Sequence, residues 1–457
     1  MSNNKSLLTF IPYSSFSQWD VKHFFLAKIS SSFSIEKLGE HLIHQTYKVQ
    51  LSDYPDVEFG ILGVSNKVGM FDADIVKGKK ITQKYHLVKD GWLAYNPYRI
   101  NVGSIGLKTV EQKGEYISPA YVVFSCKDTL LPEYMWLLMK TRIFNSMIKD
   151  STTGSVRQTL HFEKLAEICA PIPSIKQQKK IIDEYHKMIA YAEKLEREAI
   201  DLENGIDNYL LDIFNLKHDD SKVVENEMLT TISLSDCGRW DVEYALNRAA
   251  SFHLEDCNCE IKSAGTFIAS TQYGLSEKAN KGSTGIPIIR MGNIKNSELD
   301  LEDMKYLPLS AKLNGRYLDK GDLLFNRTNS KELVGKTAVF NLEGDYVFAS
   351  YIIRVKLDTT QVNVDYINYM FASSIIRKQI DIVSRQVLGQ VNINVDELCD
   401  LKFPIPPIKS DDETALTQER IVVEIERIRG EVKSKYVQAK DIRQKAHEYF
   451  ENMVFII

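Results

Sequence analysis

The sequence predicts a mixed α/β chain built from two similar heads, each followed by a long helix. Three observations carry this. The chain repeats itself once, the repeated segments mix strand-like and helix-like runs, and each copy ends in a long charged stretch with apolar residues three or four apart. Trp19-Asp20-Val21 returns as Trp240-Asp241-Val242. Asp90-Gly91-Trp92-Leu93-Ala94-Tyr95-Asn96 returns as Lys320-Gly321-Asp322-Leu323-Leu324-Phe325-Asn326. Ser118-Pro119-Ala120-Tyr121 aligns with Phe348-Ala349-Ser350-Tyr351, and Pro171-Ile172-Pro173-Ser174-Ile175 with Pro404-Ile405-Pro406-Pro407-Ile408. A period of about 230 residues exceeds the roughly 20–50 of a solenoid, so the duplicated object is a domain with its helix. Two like heads on one chain suit a target with two separated parts.

The first head is expected over residues 1–170. Trp92-Leu93-Ala94-Tyr95 and Tyr121-Val122-Val123-Phe124 read as strands, and Pro132 to Met147 as one helix. A helix follows within 171–220. The second head, 221–405, repeats the order, with strands at Asp322 to Asn326 and Tyr351 to Lys356 and one helix from Val364 to Ile380. The last segment, 406–457, is the second long helix. Apolar residues run from Ile182 and Tyr185 to Tyr209 and Ile213, and again from Ile421 and Ile425 to Tyr449 and Met453. Their mean step of about 3.5 is the coiled-coil period. Pro173 and Pro406-Pro407 set where each helix begins. Gln178, Ile182, Ala199 and Tyr209 match Gln418, Val422, Ala439 and Tyr449 at a constant offset of 240, so the two helices are equal in length. At about 37 residues each would be about 55 Å long, more than a domain diameter. Periodicity alone permits parallel or antiparallel pairing. The seam is expected at Ile189, Ala199, Ile206, Ile425, Val432 and Ala439.

Composition is ordinary for a globular protein of 457 residues. No run of about 18 apolar residues predicts a membrane span, and Met1-Ser2-Asn3-Asn4-Lys5 opens no secretory signal, so a cytoplasmic protein is expected. The six cysteines show no framework, and Cys257-Asn258-Cys259 reads as a segment with two free thiols. His41 and His44 lack zincin spacing and read as structural, so no metal site is expected. The net charge is −4. Residues 1–170 carry 20 basic and 16 acidic side chains and residues 171–220 carry 7 and 11, so the first head is mildly basic and its helix acidic. Local patches, not the global sum, decide nucleic-acid binding.

Taken together, the duplicated heads and the Pro-Ile-Pro-x-Ile segments leading into Gln-x-x-Ile-[Ile/Val] helix starts resemble the specificity subunit of type I restriction–modification systems. The resemblance rests on Gly91 to Ile100, Gly103-Ser104-Ile105-Gly106, Ser118 to Tyr121 and Pro171 to Ile182. In the second half it rests on Lys320 to Thr328, Val334-Gly335-Lys336 and Phe403 to Ile408. The insertion Lys409 to Ala415 has no counterpart after the first head. The resemblance implies two target-recognition domains, each reading half of a bipartite double-stranded DNA site. It implies an antiparallel helical spacer with pseudo-twofold symmetry. It also implies two modification (methyltransferase) subunits and restriction subunits as partners, and no membrane. S-adenosylmethionine and ATP with magnesium would sit on those partners, leaving no cofactor and no catalytic residue in this chain.

DNA reading asks for polar and cationic side chains on loops. In the first head the candidates are Lys77, Lys79, Lys80 and Lys84, then Tyr98, Arg99, Asn101 and Lys108 around the Gly103 to Gly106 turn, then Arg157 and Gln158. In the second they are Arg290, Asn293 and Lys295, then Asn326, Arg327, Asn329, Lys331 and Lys336, then Arg385, Gln386, Gln390 and Asn392. Catalytic look-alikes fail. Asn96-Pro97-Tyr98 lacks the second proline of an amino-methyltransferase motif, no P-loop is present, and Pro55-Asp56 with Glu111-Gln112-Lys113 has no counterpart in the second half. The competing readings are an adaptor whose twin heads bind proteins, and a recognition subunit of a related methylase–nuclease system.

Overall fold

The strongest periodic signal becomes the two longest elements. In a computed structural model of the chain, helices span Ile175–Ile213 and Gln418–Val454. The structure describes residues 29–456 apart from 101–102, 152–158, 217–253, 281, 283, 314, 332 and 388–389. Both tryptophan repeats, Trp19-Asp20-Val21 and Trp240-Asp241-Val242, lie outside the described residues. The chain divides into two units, Met1–Glu196 with Val437–Ile457, and Arg197–Tyr436. Each long helix therefore contributes one part to each unit.

In the first unit the central sheet has the order Leu42–His44, Val122–Cys126, Leu93–Tyr95, Ile105–Leu107, all antiparallel. In the second the order is Ile268–Tyr273, Ile352–Leu357, Asp322–Asn326, Thr337–Phe340, also antiparallel. The order of strands along the chain is the same in both. A second sheet in each unit repeats a parallel pair, Glu58–Ser65 with Tyr116–Ile117 and Ile286–Ile289 with Val347–Phe348. The Pro-Ile-Pro segments also repeat their place. Cys169–Pro171 pairs with Ile35–Lys37, and Lys402–Pro404 with Ile261–Ser263.

The expected single helix of each head is two. Pro132–Lys140 and Arg142–Ser151 are separated by Thr141, and Val364–Ala372 and Ser374–Val383 by Ser373. The apolar spacing runs through the break, which is why sequence reading merges the pair. The hydroxyls explain it. Thr141 Oγ1 donates to the Leu138 carbonyl at 2.8 Å and accepts from the Phe144 N–H at 3.2 Å, while Ser373 Oγ donates to the Met370 carbonyl at 2.7 Å. Both residues hold extended backbone (ψ 149° and 152°), as an N-cap does.

Proline has a carbonyl but no N–H, and the Pro-Ile-Pro segments are used as acceptors. Tyr134 Oη donates to the Pro171 carbonyl at 3.0 Å and Tyr366 Oη to that of Pro404 at 2.5 Å. Gln178 Nε2 donates to the Pro173 carbonyl and Gln418 Nε2 to that of Pro406, both at 2.8 Å. Each helix start is thereby tied to its own head.

The helices also close the cores. In the first unit Ala446, Phe450, Val454 and Phe455 join Tyr134, Leu138 and Phe144 in the main core. In the second, Leu210, Leu211 and Phe214 join Phe325, Tyr366 and Phe403. Burying such a side chain contributes about 1.5–3 kcal/mol. An acidic residue caps the second short helix of each head across the same packing. Glu451 Oε1 accepts from the Ile143 N–H at 3.2 Å, and Asp207 Oδ1 from the Ser374 N–H at 2.7 Å.

Candidate nucleic-acid interface

The first-head lysines sit on a tight turn. Lys77 ends the Gly69–Lys77 strand, and Lys79 and Lys80 lie in the Gly78–Lys80 turn. Gly78 is packed so closely that a Cβ would lie 2.2 Å from the Tyr54 carbonyl oxygen. That holds the turn to the sheet while Lys77, Lys79, Lys80 and, beyond them, Lys84 stay exposed. Among the described residues no carboxylate pairs with any of the four, so this is a cationic rim with its charge available. Tyr98 (56% exposed) and Arg99 project from the next turn, which Asn96 shapes by accepting from the Tyr98 N–H (3.0 Å, Oδ1) and the Arg99 N–H (3.0 Å, carbonyl). Gly103 takes φ +82°, which a side chain resists, and turns the chain into the Ile105–Leu107 strand. Asn101, Arg157 and Gln158 lie outside the described residues.

Lys108 is not a surface contact. It is 5% exposed and its ammonium pairs with Asp90, because the Lys108 N–H donates to the Trp92 carbonyl and draws the side chain in beside the Asp90 turn. A buried cation is kept only when paired, and this one has its partner.

In the second head the groups fare differently. Asn293 is 2% exposed and closes a turn, its Oδ1 accepting from the Arg290 N–H at 3.0 Å and its Nδ2 donating to the Asp300 carbonyl at 2.8 Å. Arg290 pairs with Asp303 at 3.1 Å and Lys295 with Asp300, so both cations of this group already face carboxylates. Asn326 is 1% exposed and its Nδ2 donates to the Leu333 carbonyl at 3.1 Å. Asn293 bonds within the fold through both ends of its amide and Asn326 through its Nδ2, so both are enclosed groups rather than exposed loop contacts. Sequence reading put them on loops because their carbonyl partners lie several residues away.

Arg327, the next residue, is half-buried, with its guanidinium carbon 4.8 Å from the centre of the Tyr273 ring. Beyond it runs a small sheet in which Thr328–Asn329 pairs with Gln390–Asn392, and this with Arg385–Val387. Asn329, Arg385, Gln386 and Gln390 thus share one antiparallel sheet, and Thr328 Oγ1 donates to Asn392 Oδ1 at 2.9 Å. Lys331 is exposed and Lys336 half-buried, the Lys336 carbonyl accepting from the Asn326 N–H at 2.9 Å. Tyr273 is the residue that sequence reading missed. Only the register of its strand brings it to Arg327.

The seam residues are placed within each unit. In the first, Ala439 (0% exposed) packs with Ala192 and Leu195, Ile189 is half-buried against the main core, and Arg443 forks onto Glu196 at 3.0 and 2.8 Å. In the second, Ala199 (0%) packs with Ile428 and Val432, Ile206 is half-buried beside them, Ile425 joins the main core, and Lys435 pairs with Glu198 at 2.6 Å. In the first unit Tyr185 meets His447 (ring centres 5.5 Å apart) while Ala192 meets Ala439, and in the second Glu198 meets Lys435 while Ile206 packs by Ile428 and Val432, so within each unit the helix segments are antiparallel.

His41 bonds through both ring nitrogens, to Thr129 Oγ1 at 2.8 Å and Glu36 at 2.9 Å, and His44 stacks on Phe162 at 4.3 Å. Cys257 and Cys259 bring their sulfurs to 3.5 Å as free thiols. Lys140 lies over the Trp136 ring at 3.6 Å, and burial pushes its ammonium down to about 8.

One head architecture, built twice and closed each time by a helix running through both units, defines a duplicated-domain protein. Residues 258–431 match the type I restriction modification DNA specificity domain. Over part of its length the chain is thus similar to the specificity subunits of type I restriction–modification systems. It is 19% identical over 316 residues to the type I restriction enzyme StySPI specificity subunit of Salmonella potsdam, covering 68% of this chain and 63% of that one. It is 26% identical over 183 residues to the type I restriction enzyme EcoKI specificity subunit of Escherichia coli K12, covering 39% of each. The match thus spans less than two thirds of either relative. The fold is shared, at a TM-score of 0.56 and 13% identity over 93% of this chain and 98% of the other, with a chain solved under the description of complex assembly and conformational transition of the type I R-M system.

Proposed function

We propose that this chain is the non-catalytic DNA-recognition subunit of a type I restriction–modification complex. Each head reads one half of a bipartite duplex site, and the paired helices dock two modification subunits. The observation that carries the reading is that both heads share one strand order, one helix break and one clamp at the helix start, while their exposed loops differ in side chains. A frame kept twice with different surfaces suits two readers of two sequences. The unpaired rim of Lys77, Lys79, Lys80 and Lys84 fits phosphate contact, which positions a protein on duplex without reading it.

In this reading the methyl donor, ATP and magnesium are held by the modification and restriction subunits, and the complex works in the cytoplasm. No helix among the described residues is long and apolar enough to cross a membrane. The net charge of −4 suits a chain that binds DNA firmly only beside its partners.

The test is an exchange of heads. Replacing residues 1–170 with the head of another specificity subunit should change one half of the methylated site and leave the other intact, as read by methylome sequencing. A change in both halves would show that the heads are not independent readers. Methyl transfer by the purified chain alone would refute the non-catalytic assignment.

A further inference from the structure

We propose that Arg327, held against the ring of Tyr273, reads a guanine in the half-site of the second head. The inference rests on the reading of that head as a DNA reader.

The backbone of Arg327 is fixed on both sides. Its N–H donates to the Tyr351 carbonyl and its own carbonyl accepts from the Ile393 N–H, both at 3.0 Å. The side chain is fixed as well, with its guanidinium carbon 4.8 Å from the Tyr273 ring centre. Tyr273 is in turn held, through its strand pairing with Ile353 and through its carbonyl, which accepts from Arg316 Nε at 2.9 Å.

Among the described residues Arg327 nevertheless has no anionic partner. Arg290, Arg354, Arg377 and Arg429 of the same unit each face a carboxylate. Among the described residues Arg327 faces none, and its Nε is enclosed without a hydrogen bond. The neighbouring residues Asn326 and Gln272 also carry an enclosed, unpaired oxygen. A half-enclosed guanidinium without an anion costs stability, and an aromatic ring offsets only part of that. Such a group is held ready for something outside the chain.

With Nε enclosed, the donors left for a ligand are the two Nη groups. They form a planar fork, which matches two acceptors side by side. The O6 and N7 atoms of guanine are such a pair in the major groove, and Arg is their commonest partner. A phosphate also presents two acceptors, but phosphate contact does not need a side chain locked in one plane, and exposed lysines such as Lys331 suffice for it.

The comparison of the heads points the same way. Tyr273 and Phe325 flank Ile353 in the second sheet. In the first, the flanks of Val122 are Tyr95 and, one residue past the Gln45 N–H that donates to the Val123 carbonyl, Thr46. The counterparts of Tyr273 and Arg327 are thus Thr46 and Pro97. Residues that build the frame recur in both heads, whereas this pair does not, as expected of a device for one half-site.

The experiment uses the full chain in its restriction–modification complex. Methylome sequencing with Arg327→Ala should show one guanine of one half-site relaxed to any base, with the other half intact. Arg327→Lys keeps the charge and should relax the same position, and Tyr273→Phe should leave it unchanged. A duplex carrying 7-deazaguanine there should bind the parent complex about tenfold more weakly and the Arg327→Ala complex no differently from guanine. Retention of the guanine by a folded Arg327→Ala complex would overturn the proposal. So would an even loss across all sites with a shallower salt dependence, the mark of a phosphate contact. A methylated site indifferent to exchange of either head would instead refute the DNA-reader assignment itself.

Discussion

Gln178 and Gln418 make the same three hydrogen bonds, 240 residues apart. Each is 0% exposed. The Oε1 of Gln178 accepts from the Leu131 N–H at 2.8 Å, and its Nε2 donates to the carbonyls of Thr129 (3.0 Å) and Pro173 (2.8 Å). Gln418 does so with the Asn363 N–H (2.7 Å) and the carbonyls of Gln361 (3.3 Å) and Pro406 (2.8 Å). Leu131 and Asn363 each immediately precede the first short helix of their head. One amide therefore joins three things: a long helix, the proline segment before it, and the start of a head helix.

Replacing this amide should loosen the joint. Gln178→Leu leaves one buried N–H and two carbonyls unpaired, a loss of about 2–4 kcal/mol. Gln418→Leu should cost a similar amount. Denaturant unfolding of each variant measures it. A change under about 0.5 kcal/mol in both would mean that apolar packing alone docks the helices.

The seam makes a second prediction. Ala439 is 0% exposed against Ala192 and Leu195, so a larger side chain has no room. Ala439→Leu should destabilise by about 1–3 kcal/mol, and Ala199→Leu, packed against Ile428 and Val432, by a like amount. Thermal melting checks both, and an unchanged melt would place these alanines off the contact.

A pH effect follows from His86, which is 5% exposed with Nδ1 unpaired. Burial, with Lys48 adding to it, pushes the ring down to about 4 from its ordinary 6.5. The neutral form is the one the fold accepts. Between about pH 6.5 and 4 the unfolded chain binds a proton that the folded chain does not, so stability falls as pH drops through that window. The loss is at most about 3 kcal/mol. His86→Phe should flatten this slope between pH 6.5 and 4. A slope unchanged by the substitution would assign it to other groups.

The proposed function makes helix length a determinant of the gap between half-sites. Four residues inserted in both long helices add about 6 Å. At about 3.4 Å per base pair the unread gap should grow by one or two pairs, with the half-site sequences unchanged. Methylome sequencing of the double insertion reads this directly. An active variant with the original gap would show that the helices do not set it.

The frame was largely legible in the sequence and the surface much less so. The long helices, the strands at Leu93–Tyr95 and Asp322–Asn326, and the place of the proline segments follow from period and punctuation, which are local signals. Thr141 and Ser373 break helices whose apolar spacing carries on, because a hydroxyl cap can end a helix without changing its pattern. Lys108 and Asn326 looked available for DNA and are enclosed, because Asp90 and the Leu333 carbonyl reach them only once the chain has turned back. For the same reason Tyr273 could not be assigned to Arg327, which is 54 residues further along.

The sharing of the long helices has a consequence for synthesis. The first unit takes in Val437–Ile457, some 240 residues beyond Glu196. Its core contains Ala446, Phe450 and Val454. The second unit draws only on Arg197–Tyr436, one unbroken stretch. On a ribosome, where domains generally form in the order they emerge, this order is inverted. The head made first waits with Tyr134 and Leu138 uncovered until the head made second has been translated. A nascent chain halted near residue 430 would carry a nearly complete second unit and an open first one. Premature termination there would therefore leave sticky, chaperone-dependent chains rather than molecules with one finished head.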